Sequence, residues 1–295
     1  MPDDLMIDQV RRFNRTVTQR VGALHDAFLA RRRPLGQSRV LWEIGPGGCD
    51  LRRLRARLEL DSAYLSRLLR SLEDEGLAVV APSKGDGRVR TARLTASGLT
   101  ERAELDRRSD AAAASILAPL SSRQRTRLVA AMAEVEQLLS ASAVQIKVTD
   151  PRDPAARYCM AAYFAELAER FDAGFDPALS ISADDAELTP PAGLLLLATL
   201  RGEAVAIGAL KLHGDEPAEI KRMWVSKAAR GLGLGRRLLT ELEIRAVEHG
   251  ARMVRLETNR TLDEAIGLYT SSGYREVAAF NDEAYADHWF EKALS

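Results

Sequence analysis

Apolar positions Leu5, Ile7, Val10, Val17, Val21, Leu24 and Phe28 recur at helical spacing with basic residues between them. They predict a helix over residues 1–33, which Pro34 ends. Residues 38–44 predict a second, short helix, broken by Gly45-Pro46-Gly47-Gly48. Asp50 is placed to cap a third helix over 51–60 and Asp61 a fourth over 62–75, with Gly76 where left-handed backbone is needed. Two strand-like runs follow, 77–82 and 89–94, joined by the hairpin loop Ser83-Lys84-Gly85-Asp86-Gly87-Arg88. Residues 96–118 and 121–142 predict two long Ala/Leu-rich helices separated at Pro119.

The pattern changes after residue 143. A strand over 144–148 leads into the turn Asp150-Pro151-Arg152-Asp153-Pro154 and a helix reaching about 171. Strands over 192–200, 203–213 and 217–225 precede a Gly-rich turn and a helix at 235–249. A strand at 252–258, a helix at 261–272 and a last strand near 287–294 complete the chain. Successive strands followed by strand/helix alternation predict a mixed α/β (α+β) domain. The expected division is therefore 1–143, mainly helical, and 144–295, built on a mixed central sheet.

Length agrees with two domains, since 295 residues is about twice the ~150 of a typical one. The longest nearly apolar run, 192–200, is nine residues, against about 20 for a bilayer-spanning helix, so no membrane association is expected. Asp3 and Asp4 replace the basic start of a signal peptide, which points to the cytoplasm. Cys49 and Cys159 have neither a CxxC neighbour nor a histidine at ligand spacing, which excludes a disulfide framework or a cysteine zinc site. The zero net charge hides an asymmetry: residues 1–145 hold 24 Lys+Arg against 18 Asp+Glu, a net of +6, and the remainder is −6. A basic first half suggests a polyanion partner that the acidic half does not share.

Three short helices and a hairpin with a basic loop follow the order of a winged helix-turn-helix. A helix entering the major groove needs short polar or aromatic residues on its first turns and arginines on its flanks. Ser62, Tyr64, Ser66, Arg67 and Arg70 supply them, while Leu65, Leu68, Leu69 and Leu72 face inward. Lys84 and Arg88 in the loop suit the phosphate backbone or a narrow minor groove, with Arg88 placed to pair with Asp86. The stretch LDSAYLSRLLRSLEDEGLAVVAPSKGDGRVRTARLTASG resembles the core of the MarR family of regulators, including an Asp-x-Arg wing. The resemblance covers about 140 residues. It implies DNA contacts at Ser62, Tyr64, Ser66, Arg67, Arg70, Lys84 and Arg88, and a homodimer formed by the flanking helices. Two recognition helices would then read a pseudo-palindromic operator in double-stranded DNA.

In the acidic half, Arg230-Gly231-Leu232-Gly233-Leu234-Gly235-Arg236 follows an apolar strand and opens an amphipathic helix. Glycines there let backbone amides approach an anion, and the helix N-terminus adds its unpaired donors, which together make a pyrophosphate site. The spacing is neither G-x-G-x-x-G nor a Gly-Lys-Ser/Thr loop. R-x-x-G-x-G in this setting is similar to the acetyl-CoA motif of the GNAT superfamily of N-acetyltransferases. Asn259, Ala265, Leu268, Tyr269, Gly273 and Tyr274 resemble its second motif, as do EIKRMWV and the terminal HWFEKAL.

That resemblance implies acetyl-CoA as co-substrate, bound by the amides of 230–236 with Arg230 and Arg236 and by Asn259, which otherwise ties the strand ends, while a main-chain N–H of Trp224 or Val225 donates to the tetrahedral oxyanion. An ammonium acceptor must lose a proton before attack. Glu219 is the leading base, acting directly or through water, with Glu203 and Glu257 behind it. Tyr269 is the expected acid for the departing thiolate, or else packs on the cofactor. No metal is required. Together the halves suggest a DNA-binding regulator fused to an N-acetyltransferase that transfers acetyl by direct attack of an amine. The alternatives are a transcription factor whose second half only senses acetyl-CoA or another effector, and an enzyme whose winged helix serves only dimerisation or docking. Acidic residues in the loops around 172–190 and 276–288 hint at a cationic acceptor.

Overall fold

The computed structural model describes residues 3–22, 29, 33–83, 89–172, 174–181 and 183–294. They form two compact units, Met1–Met132 and Ala133–Ser295.

The first unit begins with α1 (Asp4–Arg20), capped by the Asp3 carboxylate on the Met6 amide. The helix stops thirteen residues short of the expected 33, because Gly22 adopts a left-handed φ of 70°. Its apolar stripe stays exposed: Leu5, Val10 and Val21 are 81%, 58% and 45% accessible. Helices α2 (Leu35–Ile44), α3 (Leu51–Leu58) and α4 (Ser62–Asp74) follow, the last two capped by Asp50 and Asp61 as their sequence predicts. The hairpin β2 (Ala78–Pro82) and β3 (Arg90–Leu94) gains a third strand, β1 (Cys49–Asp50), in the order β1-β3-β2. This short strand was hidden by its glycine-rich neighbours. The core packs Val40, Leu41, Ile44 and Leu54 against Leu65, Leu68, Leu69 and Leu72. Helices α5 (Ala96–Leu117) and α6 (Ser122–Ser142) come next, and the boundary between the units falls within α6.

The second unit is a seven-stranded sheet, β4-β5-β6-β7-β8-β10-β9. Its strands are β4 (Gln145–Thr149), β5 (Gly193–Leu200), β6 (Glu203–Lys211), β7 (Ala218–Val225), β8 (Met253–Thr258), β9 (Arg275–Val277) and β10 (His288–Ala293). All neighbours are antiparallel except β7 and β8. Helix α8 (Leu234–Glu248) covers one face and α7 (Pro154–Arg170) the other, while α9 (Asp263–Ser271) joins β8 to β9. The apolar run of β5 is explained by burial on both faces. Leu194 and Leu196 pack with Leu238, Leu239 and Leu242 of α8, and Leu195 and Leu197 pack with Ala156 and Cys159 of α7. Among the described residues no helix is long and apolar enough to cross a membrane.

Candidate active site

The site arises where β7 and β8 part. Their parallel pairing consists of Ala218 with Val254 and Glu219 with Arg255, and beyond it both strands run on without pairing to each other. A bulge sharpens the opening. Lys211, Leu210 and Ala209 pair with Glu219, Ile220 and Lys221, but Ile207 and Ala206 pair with Trp224 and Val225, so β7 carries one extra residue. Arg222 takes a left-handed φ of 57° there.

The extra residue reverses which amides face β6. The Ser226 amide donates to the Val205 carbonyl at 2.8 Å, so by strand alternation the backbone of Val225 points the other way, into the opening. The Val225 carbonyl indeed accepts from Arg230 Nε at 3.2 Å rather than from β6. Of the two expected main-chain donors, Val225 therefore faces the gap and Trp224 is turned towards the sheet.

The Gly-rich loop closes the end of this opening. Gly231 and Gly233 have φ of 80° and 69°, and Gly233 starts α8 with no side-chain cap. The Arg237 amide is taken by the Gly233 carbonyl at 3.1 Å, which leaves the amides of the preceding turn as unpaired donors at the positive end of a fifteen-residue helix. The two arginines of the motif are already engaged. Arg230 binds the Glu166 carboxylate, with one contact at 2.7 Å, and Arg236 donates to Ser271 and Ser272 at 2.8–3.3 Å. Glu166 also accepts from Trp224 Nε1 at 3.0 Å. Burial pushes its carboxyl up, but Arg230 and Trp224 outweigh that and hold it below the ordinary carboxylate value. Gln137 donates to the Gly231 carbonyl, and Arg237 donates to the Ala141 carbonyl at 3.2 Å. Neither Glu166 nor Gln137 was visible in sequence, since both come from helices remote along the chain.

Two adjoining cavities occupy the gap. The larger, about 540 Å³, is lined by the loop, by Trp224 and Val225, and by Leu268 and Tyr269 of α9. The smaller, about 90 Å³, is lined by Lys221, Arg222, Glu257, Asn259, Glu283 and a set of aromatic rings. Tyr269 borders both, is buried, and makes no hydrogen bond to a described residue. Burial, reinforced by Tyr163 and Glu257, raises its hydroxyl well above the ordinary phenol value, so it stays protonated.

Glu219, the expected base, lines neither cavity. Its carboxylate accepts from Arg255 at 2.7 and 3.1 Å, with Lys221 Nζ at 3.5 Å and His213 Nε2 at 3.7 Å. Burial pushes its carboxyl up, but Lys221, Arg255 and His213 together hold it below its usual range, a poor setting for taking a proton. Glu257 does line the smaller cavity: one oxygen is paired with Lys221, and the other is buried without a hydrogen-bond partner. Asn259 also borders the smaller cavity rather than the larger. It donates to the Tyr285 carbonyl at 2.7 Å and accepts from Thr261, which holds the loop after β8. The acidic loop residues are largely self-satisfied, Asp184 capping Ala186 and Glu187, and Glu283 binding Ser180 and Ile181.

In the first unit Ser62, Tyr64, Ser66, Arg67 and Arg70 are all exposed along α4. The Arg67 guanidinium stacks on the Tyr64 ring at 5.5 Å. Lys84, Asp86 and Arg88 lie outside the described residues.

Residues 160–274 match the model of the Acetyltransferase (GNAT) family, and residues 16–89 match that of the MarR family. Each match covers less than half of the chain. Over 94 residues it is 34% identical to an "IAA acetyltransferase" of Azospirillum brasilense, which spans 32% of this chain and 61% of that protein. The chain thus covers less than two thirds of this curated relative. Among solved structures, 52% of the chain aligns with 98% of a Klebsiella pneumoniae protein described as an acyl-CoA N-acyltransferase, at 30% identity and a TM-score of 0.43. A GNAT family acetyltransferase from Elizabethkingia anophelis with acetyl-CoA bound aligns over 52% of this chain and 99% of its own, at 16% identity and a TM-score of 0.36.

Proposed function

We propose that the second unit transfers an acetyl group from acetyl-CoA to an amine, and that the first binds double-stranded DNA as a homodimer on a pseudo-palindromic operator. The observation that carries the enzymatic half is the parting of β7 and β8 in front of an uncapped helix N-terminus. Diphosphate fits the unpaired amides at the start of α8, and the larger cavity accommodates the rest of the cofactor. When bound, acetyl-CoA supplies the acetyl group as an activated thioester.

The chain's own groups then divide the work. The Val225 amide, aimed into the gap, donates to the thioester carbonyl oxygen as it gains charge. Glu257, which lines the smaller cavity and has one oxygen without a hydrogen-bond partner, takes the proton from the acceptor ammonium in place of Glu219. Tyr269, protonated and with no hydrogen bond to a described residue, gives a proton to the departing sulfur. Glu166 holds Arg230 and Trp224, and with them the loop and the strand end.

The regulatory half rests on the exposed polar face of α4 and the net positive charge of the first 145 residues. The unpartnered apolar stripe of α1 supports dimerisation. Calorimetry with acetyl-CoA, thiol release across an amine panel, and operator capture at varied salt test the two halves separately. Heat without turnover favours the sensor reading, and no heat removes the enzymatic one. Binding of DNA that ignores salt and sequence removes the regulatory one.

A further inference from the structure

The smaller cavity is lined by four charged side chains, of which Lys221 and Glu257 neutralise each other. Lys221 is paired with Glu257 and lies 3.5 Å from Glu219. Glu283 accepts from Ser180 Oγ and the Ile181 amide at 2.9 and 2.8 Å. Arg222, the second cation of the lining, makes no ion pair with a described carboxylate. Its guanidinium stacks on Phe164 at 4.8 Å and hydrogen-bonds Tyr163, while its Nε is buried with no partner. Burial, only partly opposed by that arginine, pushes the Tyr163 hydroxyl up to about 12, so it remains a neutral neighbour.

The position of Arg222 follows from the bulge. Ile220 and Met223, three residues apart, both pack on the α8 side, so the residues between them share the α7 side. In a regular strand residue 222 would have joined Ile220 in the core. The bulge instead sets Arg222 beside Lys221, against α7, at the cost of a left-handed backbone that non-glycine residues seldom adopt.

We propose that Arg222 is the anchor for a carboxylate on the acceptor, and that the acceptor is a small α-amino acid acetylated on its amino group. This rests on the smaller cavity being the acceptor site of the transferase proposed above. A planar guanidinium with unused donors matches a carboxylate in two parallel hydrogen bonds. Glu257, in the same cavity, then faces the ammonium on the neighbouring carbon. The volume of about 90 Å³ accommodates roughly six to nine heavy atoms at ~10–15 Å³ each, the size of an amino acid with a short or medium side chain. The rings of Phe171, Phe175 and Tyr285 in its wall favour an apolar side chain.

The test compares L-alanine, L-valine, L-leucine and L-methionine with their primary amides, which keep the amine and lose the charge. Wild type should prefer each acid in kcat/KM. Arg222→Met should erase that preference, raising KM for the acids on the order of 10- to 100-fold while leaving the amides within a few-fold. Arg222→Lys should recover only part of it. Calorimetric affinity for acetyl-CoA, unchanged in both variants, shows that the fold and the larger cavity persist. The same acids titrated into the CoA-loaded protein report binding without turnover. Binding that disappears in Arg222→Met upholds the carboxylate site even where no acetylation occurs, and only the transferase reading then fails. Amides used as well as acids by the wild type, acids and amides losing equally in Arg222→Met, or no binding of any acid overturns the proposal.

Discussion

Replacing Glu257 by Gln and Glu219 by Gln separates a base from a structural anion among neighbouring carboxylates. Glu257→Gln keeps the shape of the side chain and removes the nearer of the two carboxylates that Lys221 meets, leaving Glu219 at 3.5 Å as its counter-charge. Loss of a general base lowers the rate about 10²- to 10⁴-fold, so kcat/KM should fall at least ~100-fold at neutral pH. The deficit should shrink as pH rises and the free amine accumulates. Glu219→Gln should act on stability instead, because it removes the charge that Arg255 meets in two hydrogen bonds at 2.7 and 3.1 Å and leaves at most a neutral acceptor. Breaking a fully buried ion pair costs ~3–5 kcal/mol. Here about 1–3 kcal/mol is expected, since Arg255 keeps some contact with water and Lys221 keeps Glu257. At roughly 2–4 °C per kcal/mol, Tm should drop by several degrees with little change in turnover of the folded protein. The assay is chromogenic thiol release from pH 6 to 9.5, paired with thermal unfolding of each variant. Glu257→Gln retaining wild-type kcat/KM, or Glu219→Gln losing turnover while keeping its Tm, would refute the assignment.

Tyr269→Phe should reduce kcat roughly 10- to 100-fold and leave calorimetric affinity for acetyl-CoA unchanged; an unchanged kcat would mean the ring only packs on the cofactor. Gly233→Ala forces a Cβ into a left-handed φ of 69°, a strain of about 1–2 kcal/mol that should appear as a ~5- to 30-fold weaker acetyl-CoA complex. Gly250→Ala, at φ 87° beyond the other end of α8, serves as the control that loses stability alone. The Glu219 carboxyl lies below its ordinary value in the folded chain, so its ion pairs stabilise fully above about pH 4–5 and are lost as pH falls through the lowered value. Acid unfolding curves should therefore be shallower for Glu219→Gln than for wild type. In the first unit, Arg67→Ala or Arg70→Ala should reduce the slope of log affinity against log salt by about one if each meets a phosphate, which operator binding between 50 and 300 mM salt measures.

The helices and strands were legible wherever burial imposed a period. The caps at Asp50 and Asp61, the apolar run of β5 and the strand-loop-helix around Gly233 announced themselves by local chemistry. The two-residue strand β1 did not, because its partner Ala92 lies more than forty residues away and only that pairing makes it a strand. The proposed move of the base from Glu219 to Glu257 has a related origin. Glu219 and Glu257 sit on adjacent strands, and what separates them is where Arg255, Lys221 and His213 end up. No spacing along the chain encodes that. Arg222 did leave a trace: in EIKRMWV strict alternation puts it on the face of Ile220, and an arginine on a core face signals a break in the alternation.

That break links the two halves of the proposed chemistry. Were β7 regular, the pairing of Ala209 with Lys221 would continue so that Val225, not Trp224 and Ser226, turned its amide towards β6. One additional residue reverses the parity of everything after it, and so releases the Val225 amide into the gap. The same residue carries Arg222 out of the α8-side core to the α7 face, beside Lys221. The donor proposed for the thioester oxygen and the cation proposed for the acceptor carboxylate are thus consequences of a single insertion. Deleting a residue at this point of β7 should abolish both functions together, whereas Arg222→Met removes only one of them.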